Sequence, residues 1–168
     1  RIYASTDVIG IELGGALKNA IAIAAGICDG CNFGDNARAA LIARGQVEIT
    51  RIGVVLGGQE KTFVGLSGAD LWMTCTSEQS RNHQYGEGIS QGRDPKELLQ
   101  EFQANEKTVE GYKTTKVAWD LAKKHNIRTP IIDAVHALLF EGDSIDNVIK
   151  GLTERDPVYE DGRPLTNS

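Results

Sequence analysis

Gly14-Gly15-Ala16-Leu17-Lys18-Asn19 sets a single lysine inside an otherwise apolar stretch running from Ile9 to Ile27. Read as a helix, that stretch gives Lys18 the neighbours Gly14, Gly15, Ile21 and Ala22 at spacings of three and four residues. Three of these four are tiny. A mid-helix glycine costs roughly 0.5–1 kcal/mol relative to alanine, so a glycine pair below a lysine implies that another backbone or a small ligand comes close. Two readings follow: a tight helix crossing whose lysine snorkels to solvent along its stem, or a site built around the ammonium.

Outward from this helix, start and stop signals recur and strand signals are nearly absent after the first few residues, so the chain reads as all-α. Gly26 to Gly30 closes the first helix, and Asp35 or Asn36 caps a second from Ala37 to about Leu56, ended by Gly57-Gly58. A third runs from Glu60 to the polar Thr74-Cys75-Thr76-Ser77. Asp94-Pro95-Lys96-Glu97 opens a short helix to Phe102 with aspartate at the cap and proline at the first helical position. Another spans Glu110 to His125, its basic end complementing the helix dipole, and Asn126 stops it. Thr129-Pro130 opens a helix from Ile131 to Phe140, closed by Gly142, and Ser144 caps a last one through Leu152. Residues 1–155 are expected to form one domain, and 156–168, polar and with two prolines, a frayed tail.

The chain has 168 residues, 40% hydrophobic and 24% charged, enough for one core and too little for two. A net charge of -5 argues against a nucleic-acid surface. The apolar run from Ala20 to Ile27 falls short of the ~20 residues that cross a bilayer, and Arg1 to Ser5 lacks a signal peptide's layout. A soluble, cytoplasmic chain without an integral membrane segment is expected, one that begins without methionine as if cut from a longer protein. Three cysteines do not make a disulfide scaffold. Cys28-Asp29-Gly30-Cys31 has no second pair or nearby histidine to complete a metal site, and the expected metal is none. Gly86, Gly88 and Gly92 imitate part of a dinucleotide fingerprint, but no predicted strand precedes them.

Two further places draw attention. Asp70 sits among Gly65, Leu66, Gly68 and Leu71, where a carboxylate wants a cation; Lys18 is the candidate, against a helix cap or a solvent-facing acid. Ser80-Arg81-Asn82 puts a hydroxyl, a guanidinium and an amide just before a glycine-rich helix, which suits a phosphate, though a polar loop would use the same residues. A lone lysine, a half-buried aspartate and an anion cradle together describe a site for a small phosphorylated carbonyl or alcohol.

Ile11 to Asn19, Ala25 to Gly30, Phe33-Gly34-Asp35-Asn36, Thr74 to Ser77 with Ser80-Arg81-Asn82, and Val109-Glu110-Gly111-Tyr112 occur in an order that resembles the C-terminal domain of the bacterial-type NAD(P)-dependent glycerol-3-phosphate dehydrogenases. The resemblance covers roughly residues 1 to 155. It implies an all-α, multi-helix substrate domain like that of 6-phosphogluconate dehydrogenase, following an N-terminal Rossmann domain that this chain lacks. It also implies reversible reduction of dihydroxyacetone phosphate to sn-glycerol 3-phosphate with NAD or NADP, held mainly by that other domain, in support of glycerophospholipid synthesis. By position, Lys18 becomes the acid/base residue and a substrate contact. Asp70, Ser80, Arg81 and Asn82 become substrate-binding, and Arg81, Thr108 and Glu110 cofactor-binding. A homodimer is the family's implied assembly.

Two departures stand out. Cys31-Asn32 replaces the usual Leu-Gly, and the loop before Asp70 is one residue shorter than the bacterial Gly-Leu-Gly-Asp pattern. Two other functions remain open at this stage. In one, Lys18 forms a Schiff base with a ketone phosphate. In the other, the chain by itself is a catalytically inactive phosphate-binding or helical association module.

Overall fold

The computed structural model describes residues 2–154 and 159, and those residues form helices without a strand. In chain order these are α1 (Val8–Gly30), α2 (Asp35–Val55), α3 (Glu60–Val64), α4 (Leu66–Thr76), α5 (Arg81–Ser90), α6 (Pro95–Ala104), α7 (Glu110–Lys124), α8 (Pro130–His136) and α9 (Ile145–Thr153). The polar tail expected at 156–168 lies outside the described residues, apart from Tyr159.

Helix α1 is the axle. It is long and apolar enough to cross a membrane by composition, but 13 of its 23 residues are buried, and α2, α4, α5 and α7 pack around it. Its second half contributes Ile21, Ile23 and Ile27 to one core shared with Ile42, Ile52, Phe63, Tyr85, Leu98 and Ile132. Asp7 caps it: the carboxylate is buried and accepts from Gly10 N, Gln59 N and Thr62 Oγ1 at 2.9, 2.8 and 2.6 Å. Those donors hold the Asp7 carboxyl below the usual carboxylate range, the Thr62 hydroxyl contributing most.

Glycine sets how closely the helices approach α1. A Cβ on Gly26 would lie 2.0 Å from the His83 carbonyl, and one on Gly86 would lie 2.1 Å from that of Ile23. Asn82 meets Asn19, Gly86 meets Ile23 and Ser90 meets Gly30, so α5 runs parallel to the second half of α1. Ser67 meets Gly14 and Asp70 meets Lys18, so α4 runs the same way.

Most sequence-predicted boundaries stand, and the differences have local causes. Gly34, with φ of 83°, is the N-cap of α2, one or two residues earlier than the expected Asp35 or Asn36. The helix expected from Glu60 to Ser77 breaks at Gly65 (φ −85°, ψ −129°), so that Phe63 enters the core while Asp70 faces α1. Beyond His136 the expected helix continues as a π-helical turn, Ala137–Glu141, which Gly142 ends at φ 73°. Asp94, with its oxygen accepting from Lys96 N and Glu97 N, and Ser144, accepting from Asn147 N, cap α6 and α9 as predicted. Asn32 has φ of 58°, a left-handed position that asparagine tolerates better than most side chains.

Candidate active site

Lys18 lies midway along α1, on the face turned to α4, and its Nζ donates to Asp70 Oδ2 at 2.5 Å. The two partners come from positions 52 residues apart. Asp70 points inward because it follows Ser67 by three residues and precedes Thr74 by four, one stripe of α4. Thr74 Oγ1 donates to the Asp70 carbonyl on that stripe. The lysine side chain is 18% exposed and the aspartate 37%, so the pair sits at the surface rather than inside the core. Behind it Cys75 is fully buried, and burial pushes its thiol up to about 12, which removes it as a nucleophile.

The two glycines below Lys18 have different tasks. Gly14 lets α4 approach: a Cβ there would fall 2.5 Å from Ser67 Oγ. Above Gly15 nothing lies within 4 Å, which leaves free space one turn from the ammonium. The motif thus combines a tight crossing at Gly14 with an open approach at Gly15.

Helix α5 begins at the level of Lys18 and Asn19. Ser80 is its N-cap, accepting from His83 N at 3.3 Å. Arg81 is exposed and makes no hydrogen bond or ion pair among the described residues, and the main-chain N–H groups of Arg81 and Asn82 have no acceptor there. Such orphan donors at a helix N-terminus, beside a guanidinium, attract an anion. The Asn82 side chain is held from inside: its Nδ2 donates to Asn19 Oδ1 and its Oδ1 accepts from Gly111 N, both at 2.9 Å. Its main-chain N–H and the second Nδ2 N–H are the donors left for a ligand.

Helix α7 begins at the same level. Gly111 packs on the Asn19 carbonyl, where a Cβ would lie at 2.6 Å, and Glu110 Oε2 accepts from Asn19 Nδ2 at 3.3 Å. Thr108 and Glu110 line a crevice of about 410 Å³ together with Ala16, Asn19, Val109 and Tyr112. The structure thus gathers Lys18 with Asp70 on one side, and Asn19 with Asn82 and Glu110 on the other. Asn19, buried and bonded to both α5 and α7, escaped the sequence reading; its adjacency to Lys18 was the only signal.

Fold and site together define an all-helical domain whose lysine–carboxylate pair lies beside two helix N-termini. A family model described as NAD-dependent glycerol-3-phosphate dehydrogenase C-terminus matches residues 7–150, and the chain belongs to that family. It is 46% identical over 167 residues to a glycerol-3-phosphate dehydrogenase [NAD(P)+] of Salinibacter ruber, covering 99% of this chain and 48% of that protein. Against the enzyme of the same name from Bacillus subtilis the identity is 46%, covering 95% and 46%. The crystal structure of glycerol-3-phosphate dehydrogenase from Coxiella burnetii superposes with a TM-score of 0.85 at 44% identity, over 92% of this chain and 47% of that one. The chain therefore spans about half the length of the curated relatives it matches.

Proposed function

We propose that this chain is the substrate and acid/base half of an oxidoreductase that interconverts dihydroxyacetone phosphate and sn-glycerol 3-phosphate. The observation that carries the reading is the Lys18–Asp70 pair beside the open space over Gly15, with the α5 N-terminus at the same level. NADH or NADPH, held mainly by an upstream Rossmann domain, supplies the hydride to C2 when bound. Lys18 Nζ gives its proton to the C2 oxygen in reduction and takes it back in oxidation. Asp70 holds the ammonium in place. Arg81, Ser80 and the free N–H groups of the first turn of α5 take the phosphate, while Thr108 and Glu110 border the cofactor.

Exposed apolar side chains fit closure by another domain. Ile11 lies two turns before Lys18 on its helix face, and Leu66 and Met73 flank Asp70 at helical spacing. An upstream domain seated over this face would cover them and exclude water from the reacting carbon. The same reading places the protein in the cytoplasm as a homodimer, with glycerophospholipid synthesis consuming its product. The Schiff-base alternative needs a free amine, whereas Lys18 Nζ is engaged by a carboxylate.

The test is dihydroxyacetone phosphate-dependent NADPH oxidation by this chain alone and by the chain joined to its upstream half, each with and without Lys18→Ala. The joined protein is expected to turn over and the chain alone not. Lys18→Ala should lower kcat by about 10²–10⁴-fold, the usual contribution of a positioned acid/base group. An equally active variant would refute the assignment. Borohydride trapping of substrate on Lys18 would favour the Schiff base instead.

A further inference from the structure

The first turn of α5 is held from below at two neighbouring residues. Asn82 binds Asn19 and Gly111, as described, and the next residue, His83, is 4% exposed with Nε2 2.8 Å from Asp29 Oδ2 near the end of α1. Asp29 Oδ2 also accepts from Arg38 Nη1 at 2.9 Å, and Arg38 reaches Asp35 at 2.6 Å, which ties the start of α2 into the same cluster. Among the described residues the buried Nδ1 of His83 has no hydrogen-bond partner, and its nearest carboxylate, Glu87, is 3.8 Å away. With a carboxylate at Nε2, that nitrogen carries the proton and donates it. A buried ring with one nitrogen unsatisfied is a cost that a merely space-filling residue would not carry.

Geometry explains what this bond fixes. Successive helical residues are turned by about 100°, so anchoring residues 82 and 83 to two separate turns of α1 sets both the height of α5 and its rotation about its own axis. Arg81, one residue earlier, is left exposed and, among the described residues, unpaired, its direction determined by that rotation. We propose that the Asp29–His83 hydrogen bond is a positioning clamp that aims Arg81 and the N-terminus of α5 at the phosphate of the substrate. The clamp rests on the reading of Arg81 as the phosphate anchor given above. His83 and Asp29 touch neither substrate nor reacting atoms; they act through the helix.

The experiment compares dihydroxyacetone phosphate with dihydroxyacetone, the same ketone without its phosphate, in the chain joined to its upstream half. Loss of aim should affect the phosphorylated substrate alone, because only that substrate uses the anchor. His83→Phe is expected to raise KM for dihydroxyacetone phosphate about tenfold, the scale of a sub-ångström misplacement, with kcat held within about twofold. On dihydroxyacetone, kcat/KM should not change. His83→Gln, whose amide can donate to Asp29, should recover most of the loss. Should His83→Phe fail to fold, Asp29→Leu, which removes the acceptor at similar size, gives the same readout. Equal losses on both substrates would overturn the clamp, since a structural defect is blind to the phosphate. Arg81→Ala separates the two levels of the argument. If Arg81→Ala raises KM and the His83 and Asp29 variants do not, the clamp fails; if Arg81→Ala leaves KM unchanged, the phosphate-anchor reading fails and takes the clamp with it.

Discussion

Asp70 and Glu48 are both carboxylates on helices that pack against their neighbours, yet the structure treats them oppositely. Glu48 of α2 is 2% exposed, and its two oxygens accept from Ile131 N and Ile132 N at 2.7 and 3.1 Å, closing the first turn of α8. Asp70 is more than a third exposed, and among the described residues its side chain bonds only Lys18. The buried acid is consumed by backbone donors that cannot leave, and the more exposed one holds a side-chain ammonium at an open face. Saturation marks a structural carboxylate; unused capacity beside a cation marks one available for chemistry.

That contrast can be broken by mutation. Asp70→Ala should reduce turnover by about 10²–10³-fold, or roughly 3–4 kcal/mol, as loss of one oriented electrostatic partner does, while the melting temperature stays near that of the parent. Steady-state kinetics beside a thermal melt checks both halves. Glu48→Ala should do the reverse, costing about 2–3 kcal/mol of stability by orphaning two buried N–H groups, with turnover per folded molecule unchanged; a denaturant titration measures it. A Glu48 variant as stable as the parent would erase the distinction.

Asp7 extends the comparison to pH. Its folded pKa lies below the unfolded value of about 3.8, so its stabilising effect is present in full above that value and is lost as pH falls through the folded pKa. Asp7→Asn should therefore weaken the protein at neutral pH and flatten the decline in stability below pH ~4. Denaturant titrations at pH 7 and pH 3 check the sign. The smallest effect is expected at Asn32, φ 58°: Asn32→Ala should cost about 1 kcal/mol, and Asn32→Gly should be close to neutral.

Much of this was legible in the sequence because it is local. The cap at Asp94, the stops at Asn126 and Gly142, and the lysine above two glycines each depend on a few adjacent residues. Asp70 and Lys18 were each conspicuous alone, a charge where apolar residues dominate, and the pairing was a natural guess. What the sequence did not display are contacts whose partners lie far apart. Nothing near Glu48 announces that it will cap a helix 83 residues later, and nothing near His83 points to Asp29, 54 residues earlier. Asn82 shows the same limit from the other side. Its place in the Ser80-Arg81-Asn82 triplet suggested a ligand contact, and nothing there announced that its carboxamide also bridges α1 and α7. The break at Gly65 was hidden because a glycine in a helical pattern is read as tolerated until tertiary packing decides otherwise.

A phosphorylated ligand is expected to bind where α5 and α7 begin beside Lys18. Adding sn-glycerol 3-phosphate to isotopically labelled protein and following the amide resonances measures this. Shifts should concentrate at Gly15, Lys18, Arg81, Asn82 and Gly111, with none at Ile131 and Ile132 beside Glu48. Shifts confined to the Glu48 side, or absent from the first turn of α5 at saturation, would contradict that placement.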